Sequence, residues 1–506
     1  MFRIPPKVNK KIISNGLWNV LGGTSSALVA VLVPPFLTRI LPPEAYGAWA
    51  VALQIGTYVN IFGLGVQAAV GRYIAFHRAS DQLAERDSIV ASAFWALLLI
   101  ALLGCAAVGV LATHTNQLFP HLSSAWQADA ALATAILGLS FAVSLVGSIF
   151  GSVFLGLQQS HIPAITQLGG RLLQAGLLIV AASTRSLTMM ALAHLAGSTV
   201  VTLVLTGLWR RRTLQPTIAP RLISRNSLRE LGGFCLSLTV WNLAMLLVSG
   251  LDLVILARYA PSSVPYYAVS LTLVSFIAGT LQALGSALTP AAAGMQAADG
   301  GNHLKELLTR ASGLIAIAAL LVAAPLMFTG REILTLWVGP VYAGNAQGIL
   351  ALLAIATVIR TCLLPYGMIA IGTGQQRRMI YTPLIEGVTS LVLSLWWVHD
   401  YGVMGVAAAK VASATLGIVL LIGQNALAYS IPNLTRRTVA WRGLLHPLLF
   451  WVGLCILFEL ALPLRGNSFL YVSVMALATC IIAVGMGWAD IIQLLQYLSK
   501  RKQSHV

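Results

Sequence analysis

The chain has 506 residues, 58% of them hydrophobic and only 9% charged, with a mean hydropathy of +0.84. Soluble globular domains carry about 25% charged residues, so a water-soluble body is excluded and the class is an all-α polytopic membrane protein. The formal net charge of +17 does not indicate nucleic acid: the basic residues lie in connections between apolar runs, and no soluble basic module with interleaved aromatics is long enough to fold.

In chain order, the basic start MFRIPPKVNKK leads into an apolar run from about Gly16 to Leu41. That run is too long for the core of a cleaved leader and reads as the first span. Further stretches of about 20 apolar residues, enough to cross a bilayer, follow at 46–70, 88–112, 130–156, 163–183, 187–209, 231–257, 266–290, 311–329, 347–371, 380–398, 402–425, 446–463 and 469–490. With 16–38 they predict fourteen spans. If the N-terminus is cytoplasmic, 23 Lys and Arg fall on the cytoplasmic side. Only Arg39, Arg185, Arg258, Arg331 and Arg465 fall on the other. This asymmetry places both termini in the cytoplasm. The five cysteines sit far apart inside apolar runs, with no spacing that suggests metal or redox work.

The chain repeats itself. FLTRILPPEAYGAW places Arg39, Pro42 and Tyr46 at the end of span 1, and VILARYAPSSVPYYAV places Arg258, Pro261 and Tyr266 at the end of span 7. Gly65 answers Gly285, the glutamine pair of GLQQSHIP answers that of GTGQQRRM, and Gly170 answers Gly387, all at offsets of 217 to 220 residues. Ordered echoes with so little drift predict two pseudo-symmetric six-helix lobes plus two extra C-terminal helices. The expected boundaries are 1–212 for the first lobe (spans 1–6), 213–230 for a basic cytoplasmic connector, and 231–430 for the second lobe (spans 7–12). Spans 13 and 14 and a basic tail occupy 431–506. Parallel repeats of this kind place a substrate site where the halves face each other near the midplane.

Ionisable groups inside spans are functional candidates by default. Arg360 lies near the middle of span 10 and Lys410 about two turns in from the outer face. Glu386 and Arg171 are expected about two turns from the cytoplasmic side, within snorkelling reach of water. Asp252 is a candidate for ion coupling or for a structural ion pair with Arg258 or Lys410, and Glu386 is a candidate for the same two roles. Arg39 and Arg258, at equivalent outer span ends, read either as headgroup anchors or as a two-fold basic rim. Asn19 beside Trp18, Asn242 beside Trp241, and Gln282 combine amides with aromatic faces in a manner suited to a sugar. Each also fits an interhelical hydrogen bond or an interfacial anchor. An excess of Arg and Lys over carboxylates favours an anionic cargo such as a pyrophosphate. No phosphate-binding P-loop, H-E-x-x-H or G-x-S-x-G motif occurs, so the chain is expected to be neither an enzyme nor an ATPase and to need no cofactor. Its energy is expected to come either from an H+ or Na+ gradient or from removal of the product on the far side.

The stretches FLTRILPPEAYG, FGLGVQAAVGRYIA and GLQQSHIPAI resemble the polysaccharide transporter family of the multidrug/oligosaccharidyl-lipid/polysaccharide (MOP) exporters, which includes the Wzx-type repeat-unit flippases. The resemblance covers about 13–430. It implies two six-helix lobes in a V, open alternately to cytoplasm and periplasm of a bacterial inner membrane. It implies a cationic cavity that moves the headgroup of an undecaprenyl-pyrophosphate-linked oligosaccharide, with a polysaccharide polymerase and a chain-length regulator as partners. Arg39 and Arg258 become headgroup contacts by position, with Arg360 and Lys410 as further candidates. A lipid II-type flippase, an ion-coupled multidrug antiporter and a non-transporting scaffold of envelope assembly are the competing readings.

Overall fold

The computed structural model describes residues 29–427 except 61–62, 80–81, 115–121, 212–215, 287, 300–303, 363 and 374–380, together with 456, 458, 470–475 and 477–479. The chain divides into two compact units, Met1–Ala268 and Val269–Val506. Almost every described residue is helical, as a membrane requires, because an unpaired backbone amide in hydrocarbon costs several kcal/mol. Among the described residues nine helices are long and apolar enough to cross a bilayer, or ten if the pair Pro43–Asn60 and Gly65–Ile74, bent by 44°, forms one span. The expected spans 380–398 and 402–425 are joined into one of these nine, with a kink at Gly402 (φ 57, ψ −136) between them. Only Val29–Ile40 of the first expected span is described. Most of the expected spans at 446–463 and 469–490 lies outside the described residues, as do Asn19, Trp18 and the second glutamine pair.

The first unit begins with α1 (Pro34–Ile40), α2 (Pro43–Thr57), a short 3-10 turn (Tyr58–Asn60) and α3 (Leu64–Ala79). Four long helices follow: α4 (Leu83–Thr113), α5 (Ser124–Gly156), α6 (His161–Ala182) and α7 (Leu187–Arg210). The unit closes with α8 (Arg225–Ser249), α9 (Asp252–Tyr259) and the start of α10 (Val264–Gly285). Helices in lipid gain little from hydrophobic exclusion and associate through small residues that let backbones approach. Gly156 rests on the Gly71 carbonyl, where an added Cβ would come within 2.7 Å, and Gly147 rests on Thr202. The α5 C-terminus is ended by Gln158 in a left-handed conformation (φ 57). The Gln159 amide there closes on the Phe154 carbonyl at 2.9 Å, a Schellman-type stop. The glutamines of GLQQSHIP are thus turn residues, as expected for capping positions.

The second unit continues α10 and contains α11 (Leu288–Asp299), α12 (Leu304–Phe328), α13 (Gly330–Val338), α14 (Pro340–Thr361), α15 (Leu364–Gly372) and the kinked α16 (Tyr381–Leu427). Its core packs Ala316, Leu320 and Ala323 of α12 against Ala354 and Val358 of α14.

Candidate functional site

In both repeat-equivalent corners a short helix ends, a proline follows and a new helix starts. Arg39 lies in the last turn of α1, before Pro42 and Pro43; Arg258 lies in the last turn of α9, before Pro261. Proline cannot continue a preceding helix but fits the first turn of the next, so each corner is set locally. Both arginines are exposed, and a cation at a helix C-terminus is favoured by the helix dipole.

Within the first unit the two corners meet around a cavity of about 580 Å³, lined by Pro43, Glu44, Gly47, Pro261, Ser262 and Tyr266 among others. The contact is close: a Cβ on Gly47 would stand 3.1 Å from Pro265 Cδ and 3.4 Å from Val264 Cγ1. Tyr46 is buried beside it. Glu44 is held in place because its Oε1 accepts the Ser123 amide at 2.8 Å. Arg258 directly follows the lining residue Ala257, and Arg39 precedes Pro43 by four positions. The sequence echo therefore marks two segments that build one cavity; Arg39 and Arg258 are near it along the chain but are not among the residues that line it.

Deeper in the same unit two spans are interrupted. The break between α2 and α3 carries Tyr58, whose hydroxyl donates to the Gly250 carbonyl at 2.5 Å, in the break between α8 and α9. Asp252, 2% exposed, starts α9 and accepts the Tyr267 hydroxyl at 2.8 Å. Discontinuous spans of this sort line the ion and substrate sites of transporters, since their freed backbone groups need polar partners. Nothing in the sequence flagged Tyr58 or Tyr267; an aromatic inside an apolar run reads as packing until the opposing break is known.

The remaining candidates are dispersed. In the second unit Arg360 of α14 pairs with Glu386 of α16: Nε donates to Oε1 at 2.8 Å and Nη2 lies 2.7 Å from the same oxygen. Lys410, 4% exposed on the other limb of α16, donates from Nζ to Ser390 Oγ at 2.7 Å. Gln282 is exposed on α10 and Asn242 half-buried on α8. Trp241 belongs to α8, with its side chain outside the described set. Arg171 stands ten residues beyond the start of the 22-residue α6, near its centre. Among the described residues no group of three or more His, Cys, Asp and Glu is arranged to hold a metal ion.

The helical content, the length of the apolar helices and the charges buried between them define a multi-span helical membrane protein. Residues 12–296 match the family described as polysaccharide biosynthesis protein, more than half of the chain, and the chain belongs to that family. It is 23% identical over 416 residues to the "Putative O-antigen transporter" of Shigella flexneri, covering 81% of this chain and 96% of that one. Over 99 residues, 19% of this chain and 18% of the other, it is 35% identical to the succinoglycan biosynthesis transport protein ExoT of Rhizobium meliloti (strain 1021). Its fold is similar to the lipid II flippase MurJ in an inward closed conformation, with a TM-score of 0.73 at 12% identity over 96% of this chain and 100% of that one. An inward-facing multidrug resistance MATE transporter of the MOP superfamily gives 0.64 at 16% identity over 83% and 96%. The fold is thus that of the MOP exporters, as the sequence resemblance implied.

Proposed function

We propose that this chain is a flippase that moves undecaprenyl-pyrophosphate-linked oligosaccharide repeat units, precursors of an O-antigen or exopolysaccharide, across a bacterial inner membrane. It works by alternating access, driven by H+ or Na+ and without ATP or catalysis of its own. The observation that carries the reading is the cavity between the two equivalent corners, each of which bears an exposed arginine, Arg39 or Arg258, at its helix end, in a fold similar to the lipid II flippase MurJ. Guanidinium groups bind phosphate oxygens in bidentate fashion, which fits a pyrophosphate headgroup. The relatives named for O-antigen and succinoglycan transport favour this cargo. The fold similarity to MurJ favours a lipid II-type precursor as the second reading. The buried carboxylates Asp252 and Glu386 are both engaged, by Tyr267 and Arg360, which speaks against the acidic cavity of a cation exporter.

The test is charge reversal at both corners. Arg39→Glu with Arg258→Glu is expected to abolish surface polymer in the native strain while the protein still inserts at normal levels. Normal polymer from the double variant overturns the assignment of these arginines.

A further inference from the structure

Apart from the outer cavity, the first unit carries an apolar slot of about 760 Å³. Its walls are α4 from Ala96 to Leu111, the break at Tyr58 and Val59, and the face of α8 that bears Leu228 and Gly232. Small residues keep it open: Ala107 is exposed, and a Cβ on Gly232 would meet nothing within 4 Å. The span from Ala96 to Leu111, at about 1.5 Å per residue, makes the slot roughly 22 Å long. One leaflet of a hydrocarbon core about 30 Å thick is roughly 15 Å deep. A single phospholipid chain anchored at one surface therefore ends short of the slot's far end, whereas one longer chain runs its full length.

The inner end of the slot is basic. Arg225, Leu228, Gly232 and Cys235 follow each other at helical spacing along one face of α8, so the exposed Arg225 stands one turn below the first lining residue. The connector that precedes α8 is fastened to α4. Trp95 Nε1 donates to the Ile218 carbonyl at 3.2 Å, Ser88 Oγ donates to the Leu222 carbonyl at 3.0 Å, and the Ser224 amide donates to Ser92 Oγ at 3.3 Å. Arg225 consequently stands one turn from the slot's lining, and Arg221 lies on the anchored connector next to Leu222. An apolar channel longer than one leaflet, with exposed guanidinium groups near one end, is complementary to a long isoprenoid chain that ends in phosphate.

We propose that this slot binds the polyprenyl tail of the lipid-linked cargo, with the phosphate end on Arg221 and Arg225. The inference rests on the lipid-linked reading above. Its test uses the purified full-length protein in nanodiscs of phosphatidylethanolamine and phosphatidylglycerol, with a sugar-free polyprenyl phosphate carrying a diazirine midway along its chain. Photo-adducts are expected in 96–111 and 228–235. Gly232→Leu with Ala107→Leu should lower them about tenfold, equivalent to about 1.4 kcal/mol. Arg225→Gln, a surface change that spares the fold, should weaken labelling by the phosphate probe but not by the matching polyprenol. Adducts spread over other lipid-facing surfaces such as Leu172 and Val180 of α6 overturn the proposal. So does equal labelling by a phosphatidylglycerol diazirine, which marks a bilayer-lipid slot only, or indifference to all these variants. Because the probe carries no sugar, slot labelling and polymer export fail independently, and loss of one leaves the other readable.

Discussion

Arg360 and Glu386 are 26 positions apart in the chain and meet through the packing of α14 on α16. Their side chains are 32% and 11% exposed, so the pair is sheltered without being sealed. Removing one member of a buried pair strands the other charge and costs about 3–5 kcal/mol; the partial exposure of Arg360 argues for the low end. Glu386→Gln is therefore expected to lower the unfolding midpoint in detergent clearly, and Arg360→Met with Glu386→Leu to recover most of that loss. If the apolar pair restores stability but not polymer export, the charges serve transport; full export with restored stability makes the pair structural. The sequence marked both residues as costly inside a span. Their pairing was not legible, because it depends on the relative register of two helices, and that register is written in contacts rather than in spacing. Lys410 illustrates the same limit: its place inside an apolar run was readable, but its hydrogen bond to Ser390 across the Gly402 kink was not.

Helix ends are where the elements of the first unit are secured. Asp129, on α5, accepts the Leu187 and Thr188 amides at 2.5 and 3.0 Å and the Ser186 hydroxyl at 3.2 Å. It acts as an N-cap for α7 supplied by a neighbouring helix, with Ser186 accepting the Met189 amide at 3.3 Å as the local cap. A capping group lost to alanine costs about 0.5–2 kcal/mol, and the negative charge at the α7 N-terminus adds to its effect. Asp129→Ala is expected to cost about 1–2 kcal/mol and Asp129→Asn less, read as midpoint shifts in thermal unfolding; equal midpoints for all three proteins would show that the cap carries no stability. Hydropathy and loop charge made the long helices α4 to α7 legible, including the separation of α6 from α7 at Ser183–Ser186. The breaks at Tyr58–Gly63 and Gly250–Leu251 were not legible. Each interrupts an apolar run without a proline, marked only by Gly63 and by Ser249-Gly250, and glycines recur throughout the spans. The Tyr58 bond to the Gly250 carbonyl and the turn bonds from the Gly63 amide to Asn60 and from the Gly250 amide to Leu246 help the interruptions to be tolerated.

At the scale of the molecule, the duplication has its clearest structural expression at the outer corners, where Pro42–Gly47 and Pro261–Tyr266 come together in the first unit. The echo of Arg39 and Arg258 and of the prolines was readable because corners are local structures; that the two corners touch was not. Under the alternating access proposed above, this contact parts whenever cargo leaves past the corners. The tight approach of Gly47 to Val264 and Pro265 permits a direct test. A Cβ at position 47 would stand 3.4 Å from the γ position of residue 264, so Gly47→Cys with Val264→Cys puts two side chains in contact, as a disulfide requires. Oxidation is expected to stop polymer export and a reductant to restore it, with each single-cysteine variant exporting under both conditions. Export that continues when the cross-link is complete would mean that cargo leaves without parting the corners, and the exit path would then have to run elsewhere than through the cavity they enclose.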